Sequence, residues 1–409
     1  MNYPLIFDTA LEIGYQLAMC GAETYRIEEC IIRIMRAYGA KAEVFAIPNS
    51  MTATITTPDG QSITRLRRIG FHGNDMDTLE RYSNLSRRIC QETPDPEIAV
   101  QWLAETNASR KAYCLTIFLL ANMIAAGGFS IFFGGTLLDA IISMLCGLVV
   151  GTISHLSEKL HINHFFATTA TSFFMALTAY LFGNFGFNAD MAIVGALMKL
   201  VPGLLFINAI RDVIFGDTNS GINRLVQVVL IAGAIGLGTG AARSLVFSLF
   251  GTPGAISPVV YSPVVQCIAA AIGCAGFCML FNIHGRGMLL CILGGTLSWA
   301  VYLLVVFLFD SILTGYFFAT IFAAGYAEAM ARIRRFPAIT YLLVSIFPLI
   351  PGAGIYYTTS YLADGNMAEF MAKGAQTSSI AGLMAIGIIM VSTIVRGTTV
   401  WRQMRKQKL

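Results

Sequence analysis

The chain has 409 residues, 56% of them hydrophobic and 12% charged, with a mean hydropathy of +0.68. A soluble globular protein of this length is not so apolar, so the sequence is that of an integral membrane protein. A net charge of +4 is too small to argue for a nucleic-acid partner.

Residues 1–111 hold 12 of the 27 Lys and Arg and differ in kind from the rest of the chain. Ile6 to Met19 and Thr24 to Tyr38 read as amphipathic helices, divided by Gly21 and stopped by Gly39. Ala42 to Ile47, Met51 to Thr57 and Gln61 to Ile69 read as strands, the last two joined by the turn Pro58-Asp59-Gly60. Asp75 to Cys90 and Pro96 to Asn107 read as helices again, which predicts a small soluble α/β domain. The first 20 residues carry Asp8 and Glu12 and no basic run, so no cleaved secretory signal is expected.

From Tyr113 onward, ten segments are long enough to cross a ~30 Å hydrocarbon core. They run over 113–133, 135–156, 164–186, 190–211, 222–249, 259–282, 287–309, 312–331, 338–361 and 375–395. Nine cysteines are scattered along the chain. Cys274 and Cys278, one helical turn apart, have no second pair to complete a metal site. The cysteines are read as packing residues, and no metal or cofactor is expected.

A cytoplasmic N-terminus places Lys159, Arg211, Arg224, Arg286, Arg332, Arg334, Arg335, Arg396, Arg402, Arg405, Lys406 and Lys408 on the inner side, against Arg243 and Lys373 outside and Lys199 within the membrane. Both termini are then cytoplasmic, Gly254 and Asn366 face outward and Gly285 inward.

The sequence also repeats. At an offset of 149, Leu200-Val201-Pro202-Gly203 falls on Leu349-Ile350-Pro351-Gly352, Gly216 on Gly365, Gln227 on Gln376 and Gly238 on Gly387. A weaker echo at an offset of 144 pairs Leu148–Ser154 with Ile292–Ser298. Two halves of five spans each lie in opposite orientation, because five is odd. The fold class expected is therefore an α-helical polytopic membrane protein of ten transmembrane helices in two inverted five-helix repeats. The repeats occupy 112–250 and 251–409, the second ending in a short basic tail, and the soluble α/β domain occupies 1–111.

The repeat centres on its Pro-Gly breaks. Pro202 frees the carbonyl of Met198, Pro351 that of Phe347 and Pro348 that of Val344, which membrane depth tolerates only against protein or a water-filled cavity. Each break also opens the N-terminus of a half-helix, whose unpaired amides suit a carboxylate. Lys199 adds a charge that costs at least ~2.5 kcal/mol near the midplane. Beyond the breaks stand Asn208, Arg211 and Asp212 on one side, and Tyr356, Tyr357, Thr358 and Thr359 on the other. The candidate substrate-binding set is therefore Lys199, Pro202, Gly203, Asn208, Arg211, Asp212, Pro351, Gly352, Tyr356 and Thr358, a chemistry suited to a small hydroxylated zwitterion. Asp139, Asp217 and Glu328 are the coupling or gating candidates, with Asp190 and Asp310 further carboxylates near span ends.

Over nearly its whole length the chain resembles the threonine/serine exporter family. The resemblance rests on Gly21-Ala22-Glu23-Thr24-Tyr25-Arg26-Ile27-Glu28, where Ile27 replaces the usual valine of a Gly-Ala-x-Thr-x-Arg-Val-Glu signature. It rests further on Val201-Pro202-Gly203, Asn208, Arg211-Asp212, Gly216-Asp217, Ser220-Gly221 and Arg224, and on Pro348 to Ala353 with Tyr356. Gly21, Thr24, Arg26 and Glu28 are thus the N-terminal motif residues. The family also occurs split into two chains near residue 250 of this one, so the resemblance implies two complete modules.

The resemblance implies efflux of small hydroxylated amino acids, coupled to the proton gradient, by a multi-pass protein of the cell inner (plasma) membrane. The partners expected are a small-molecule substrate (an amino acid or a carboxylate), protons and the lipid bilayer, with a homo-oligomer left open and no nucleic acid. Three alternatives stand beside it: a dicarboxylate (succinate-like) exporter, a passive small-solute channel, and a membrane-anchored enzyme active in the N-terminal domain. Residues 1–111 offer no Ser-His-Asp set, phosphate loop or metal cluster, and a single histidine, His72, so the chain is not expected to be an enzyme. A regulatory or gating role is expected of this domain.

Overall fold

The computed structural model describes residues 1–70, 73–214, 216–252, 256–334 and 336–407, with side chains except at 363, 396 and 399–407. His72, Gly254, Arg335, Lys408 and the side chains of Arg396, Arg402, Arg405 and Lys406 lie outside the described residues. The chain divides into two compact units, one of residues 1–113 with 281–284 and 335–339, the other of the remainder.

The first unit runs α1 (Tyr3–Met19), α2 (Thr24–Ala37), β1 (Lys41–Ile47), β2 (Ser50–Thr56), β3 (Ser62–Arg68), α3 (Met76–Glu92) and α4 (Pro96–Ala108). Helix α1 starts earlier than the apolar pattern suggests because Asn2 caps it, its side chain accepting from the Leu5 amide at 3.2 Å, with Pro4 in the first turn. The strands form an antiparallel sheet in the order β1-β2-β3. Period-two alternation buries Met51, Ala53 and Ile55 of β2 on the helix-covered face. The β2–β3 hairpin closes from Thr57 to Gln61 through Gly60 at φ +81°. Asn282 is held in this unit too, its Nδ2 donating to Asp75 Oδ1 at 2.9 Å and to the Lys111 carbonyl at 2.5 Å.

The second unit is helical: α5 (Leu115–Phe132), α6 (Leu137–Lys159), α7 (His164–Gly183), α8 (Ala189–Leu197), α9 (Gly203–Ile214), α10 (Thr218–Phe250), α11 (Pro263–Leu280), α12 (Arg286–Phe309), α13 (Ile312–Arg334), α14 (Ala338–Ser345), a 3-10 turn (Phe347–Leu349), α15 (Gly352–Ala363) and α16 (Met367–Gln407). Among the described residues, eight helices are long and apolar enough to cross a membrane, and α14 with α15 forms a pair bent by 41° that could count as a ninth span. The chain is a membrane protein. Helices α8 and α9, of 9 and 12 residues, are each too short to span alone, at about 14 and 18 Å. Helix α16 is much longer than the apolar stretch 375–395, because the polar residues before and after it favour a helix as well as the apolar ones do.

Contacts made early in this unit recur later at a nearly constant spacing. Helix α5 crosses α11 with backbones almost touching: a Cβ at Gly128 would lie 2.5 Å from the Gly273 amide nitrogen, and one at Gly276 would lie 2.5 Å from that of Ala125. Pairing 128 with 273 and 125 with 276 makes the two helices antiparallel, and adding 148 to one member of each pair yields the other pair. Phe129 and Phe277, also 148 apart, meet edge to face at 5.7 Å. Ser143 Oγ donates to the Ala192 carbonyl at 3.0 Å, and Cys291 Sγ to that of Thr340 at 3.6 Å. Gly238 sits against Ser172 and Thr169, as Gly387 sits against Thr320 and Phe317. The echo at 144 is thus displaced by one helical turn from the spacing the packing follows.

Candidate functional site

The two Pro-Gly breaks are built alike. Helix α8 stops at Leu197, whose carbonyl accepts from the Leu200 and Val201 amides at 2.8 and 2.9 Å, and α9 starts at Gly203. Helix α14 stops at Ser345, a 3-10 turn comes next, and α15 starts at Gly352 behind Pro351. Helices α9 and α15 each have 12 residues. Each ends before a left-handed glycine, Gly216 at φ +90° or Gly365 at φ +72°, and the next helix begins two residues later.

The breaks also touch each other. A Cβ at Gly203 would collide with the side chain of Ile350, and one at Gly352 would come 2.7 Å from Met198 Sδ. Each glycine is therefore the gap into which the opposite break packs, and Pro202 and Pro351 are buried beside them. The N-terminal ends of α9 and α15 are brought to one place. Their amides are the donors that an anionic group could use there.

Lys199 takes a different course. Its ammonium is buried, makes no hydrogen bond among the described residues, and lies 4.5 Å from the centre of the Phe118 ring in the first turn of α5. It faces an aromatic ring rather than another break residue. Arg211 and Asp212, both buried, are drawn together with the buried Arg224 of α10: Asp212 lies 3.2 Å from Arg224 Nε and 3.8 Å from Arg211 Nε. Asn208 is half-buried on α9. Thr358 turns back on its own helix, its hydroxyl donating to the Gly354 carbonyl at 2.7 Å.

Tyr356 stands in a polar cluster. Buried in the second turn of α15, its hydroxyl donates to Asp190 Oδ1 at 3.2 Å and lies 3.3 Å from the Tyr180 hydroxyl of α7. Nearby, Arg243 Nη1 of α10 donates to both oxygens of Asp364, at 2.7 and 2.8 Å. Sequence reading missed Tyr180 and the Arg243–Asp364 pair, whose members lie 176 and 121 residues from their partners and carry no local spacing signal.

Two of the three coupling candidates have structural roles. Asp139 closes a capping box, accepting from the Thr136 amide and hydroxyl at 2.8 Å, and it also accepts from the Asn188 amide at 2.7 Å. Asp217 caps α10, accepting from the Ser220 amide at 3.3 Å. The signatures Thr136-x-x-Asp139 and Asp217-x-x-Ser220 could have been recognised as caps from the sequence. Glu328 is half-buried on α13.

In the first unit the motif residues organise a corner. Gly21 has φ +84°, and a Cβ there would come 2.5 Å from Asn74 Oδ1 and 2.9 Å from the Gly73 carbonyl. Thr24 is the first residue of α2, whose cap is Glu23 and not Thr24, and Arg26 lies 3.7 Å from Glu23. Glu28 Oε1 accepts from the Ala46 amide at 2.8 Å, fixing β1 to α2. Burial pushes the Cys20 and Cys30 thiols up to about 12, which leaves them protonated near neutrality. Among the described residues, no group of three or more His, Cys, Asp and Glu is placed to hold a metal ion.

A family model described as putative threonine/serine exporter matches residues 8–246, and a second, described as threonine/serine exporter, matches residues 266–394. A curated relative named threonine/serine exporter, from Corynebacterium glutamicum, is 23% identical over 98% of this chain and 83% of its own length. Two proteins named probable succinate transporter subunit YjjP, from Klebsiella aerogenes and Escherichia coli, are 23% and 24% identical over 56% of this chain and 89% and 90% of theirs. No solved structure matches.

Proposed function

The chain belongs to the threonine/serine exporter family, and from that premise we propose that it is a secondary transporter, not an enzyme, that moves threonine and serine out of the cell through the inner membrane at the expense of the proton gradient. The observation that carries the reading is the meeting of the two helix breaks, Gly203 against Ile350 and Gly352 against Met198. Two half-helix N-termini pointed at one locus form a preorganised site for a substrate carboxylate.

Ten spans belong to this reading, of which α8 with α9 is the fourth and α14 with α15 the ninth, divided into repeats at 112–250 and 251–409. The recurrence of contacts at spacings of 148 and 149 supports a repeat, and the antiparallel crossing of α5 and α11 supports opposite orientation of its halves. Reciprocal packing of α9 on α16 and of α15 on α10 supports the same two-fold relation. Transporters of this design alternate access by rocking one repeat against the other around a fixed site. Both termini are cytoplasmic in this reading, and residues 1–111 form a soluble module that regulates or gates transport.

A substrate panel tests it. Proteoliposomes bearing the full chain and loaded with threonine, serine or succinate are expected to release the two hydroxylated amino acids well above protein-free vesicles. Release of succinate alone would replace the reading with dicarboxylate export.

A further inference from the structure

We propose that Asp190, positioned by Tyr356 and Tyr180, is the subsite that recognises the substrate's ammonium group and so sets the preference for an amino acid over an acid without the amine. The inference rests on the exporter reading and names a residue for the negative charge that the helix breaks lack.

An amino acid carries two charges of opposite sign. The paired breaks offer amide donors for its carboxylate, but for its ammonium they offer only neutral backbone carbonyls, and an ammonium taken from water is better met by a negative charge. Asp190 lies in the first turn of α8, the half-helix that ends in the first break. Tyr356 lies one turn into α15, the half-helix that begins at the second. Their hydrogen bond, at 3.2 Å, therefore joins the two broken elements, and Tyr180 of α7 extends it at 3.3 Å.

The local charges favour a cation. Asp190 is exposed while both phenols beneath it are buried. No Lys, Arg or His stands within ion-pair distance of it among the described residues. The nearby Arg243 has both hydrogen bonds from its Nη1 committed to Asp364. Tyr357 follows Tyr356 and contributes no charge near neutrality. The carboxylate is not needed to cap its helix, because Asn188 already does so, accepting from the Met191 amide at 3.2 Å. Tyr356, by donating to Oδ1, fixes the orientation of the carboxylate, so its role is positioning.

Like-charge repulsion sharpens the preference. A second carboxylate in place of the ammonium would meet Asp190 and be repelled, as in succinate, whereas an acid lacking the amine merely leaves Asp190 unpaired. Removing the negative charge removes both penalties together.

The test uses the purified full chain with three ligands: threonine, 3-hydroxybutyrate, which lacks the amine, and 2-aminobutyrate, which lacks the hydroxyl. In the unsubstituted protein, threonine is expected to bind more tightly than 3-hydroxybutyrate. In Asp190→Asn, threonine and 2-aminobutyrate should each weaken by roughly tenfold to hundredfold, the range of a charge-assisted hydrogen bond, while 3-hydroxybutyrate does not weaken. Tyr356→Phe should weaken threonine less than Asp190→Asn does and leave the amine preference in place. Equal weakening of all three ligands in Asp190→Asn would mean a structural role and overturn the proposal, as would unchanged threonine affinity. Binding of none of them by the unsubstituted protein would sink the exporter reading and this subsite with it.

Discussion

Lys199 holds a buried ammonium beside the first helix break. An ammonium in an apolar span invites a role in holding a carboxylate, yet its Nζ faces the Phe118 ring and has no hydrogen-bond partner among the described residues. A cation over an aromatic face gains only about 0.5–2 kcal/mol, less than the cost of desolvating it, so packing alone does not explain the lysine. Replacing it by methionine keeps the length and removes that cost. Lys199→Met is therefore expected to fold and insert with unchanged or higher thermal stability and to lose most threonine efflux. Retention of the full efflux rate would assign Lys199 to snorkelling or packing and remove it from the site.

At the scale of elements, the breaks were legible and their surroundings were not. Proline followed by glycine in an apolar stretch has one physical consequence, a lost ladder bond and room for close backbone approach, and both half-helices start at the glycine the sequence marks. The offset of 149 was legible for the same reason, since Gly216 and Gly365 must both accommodate positive φ. The earlier helices repeat at 148, and there small residues interchange freely, Ser143 with Cys291 and Ala126 with Cys274, so the weak echo slipped by one turn to 144. What touches what across helices, such as Tyr180 with Tyr356, has no periodicity to betray it. The contact between breaks makes a direct prediction. Gly203→Ala and Gly352→Ala force a methyl group into Ile350 or Met198 and should each cut efflux at least tenfold while the protein still inserts, because overpacking costs about 1–3 kcal/mol, well short of typical folding stability. Unimpaired transport in both variants would mean that the breaks need not meet closely for function.

For the whole molecule, the proposed alternating access requires the two halves to lie in opposite orientation. Single cysteines in a variant lacking the native nine test it. A cysteine at Asn366 is expected to react with an impermeant thiol reagent added to intact cells, and one at Gly285 is expected to react only after permeabilisation. The opposite pattern would reverse the topology and cancel the positive-inside argument that placed both termini in the cytoplasm. Asn366 is exposed between α15 and α16, and a Cβ at Gly285 meets nothing within 4 Å, but Gly285 has φ +59°, which strains any other residue, so normal insertion of that variant is verified before labelling.

The central claim is that this chain couples threonine export to the movement of protons, and one measurement addresses it most directly. Proteoliposomes holding the full chain and labelled threonine are given a pH gradient by dilution, and efflux is compared with the same vesicles after a protonophore collapses the gradient. Proton coupling predicts faster efflux with the outside acidic, since protons then run inward as threonine leaves, with the acceleration abolished by the protonophore and reversed in sign by an alkaline exterior. Equal threonine efflux under all three conditions would contradict it and leave a passive pathway in its place.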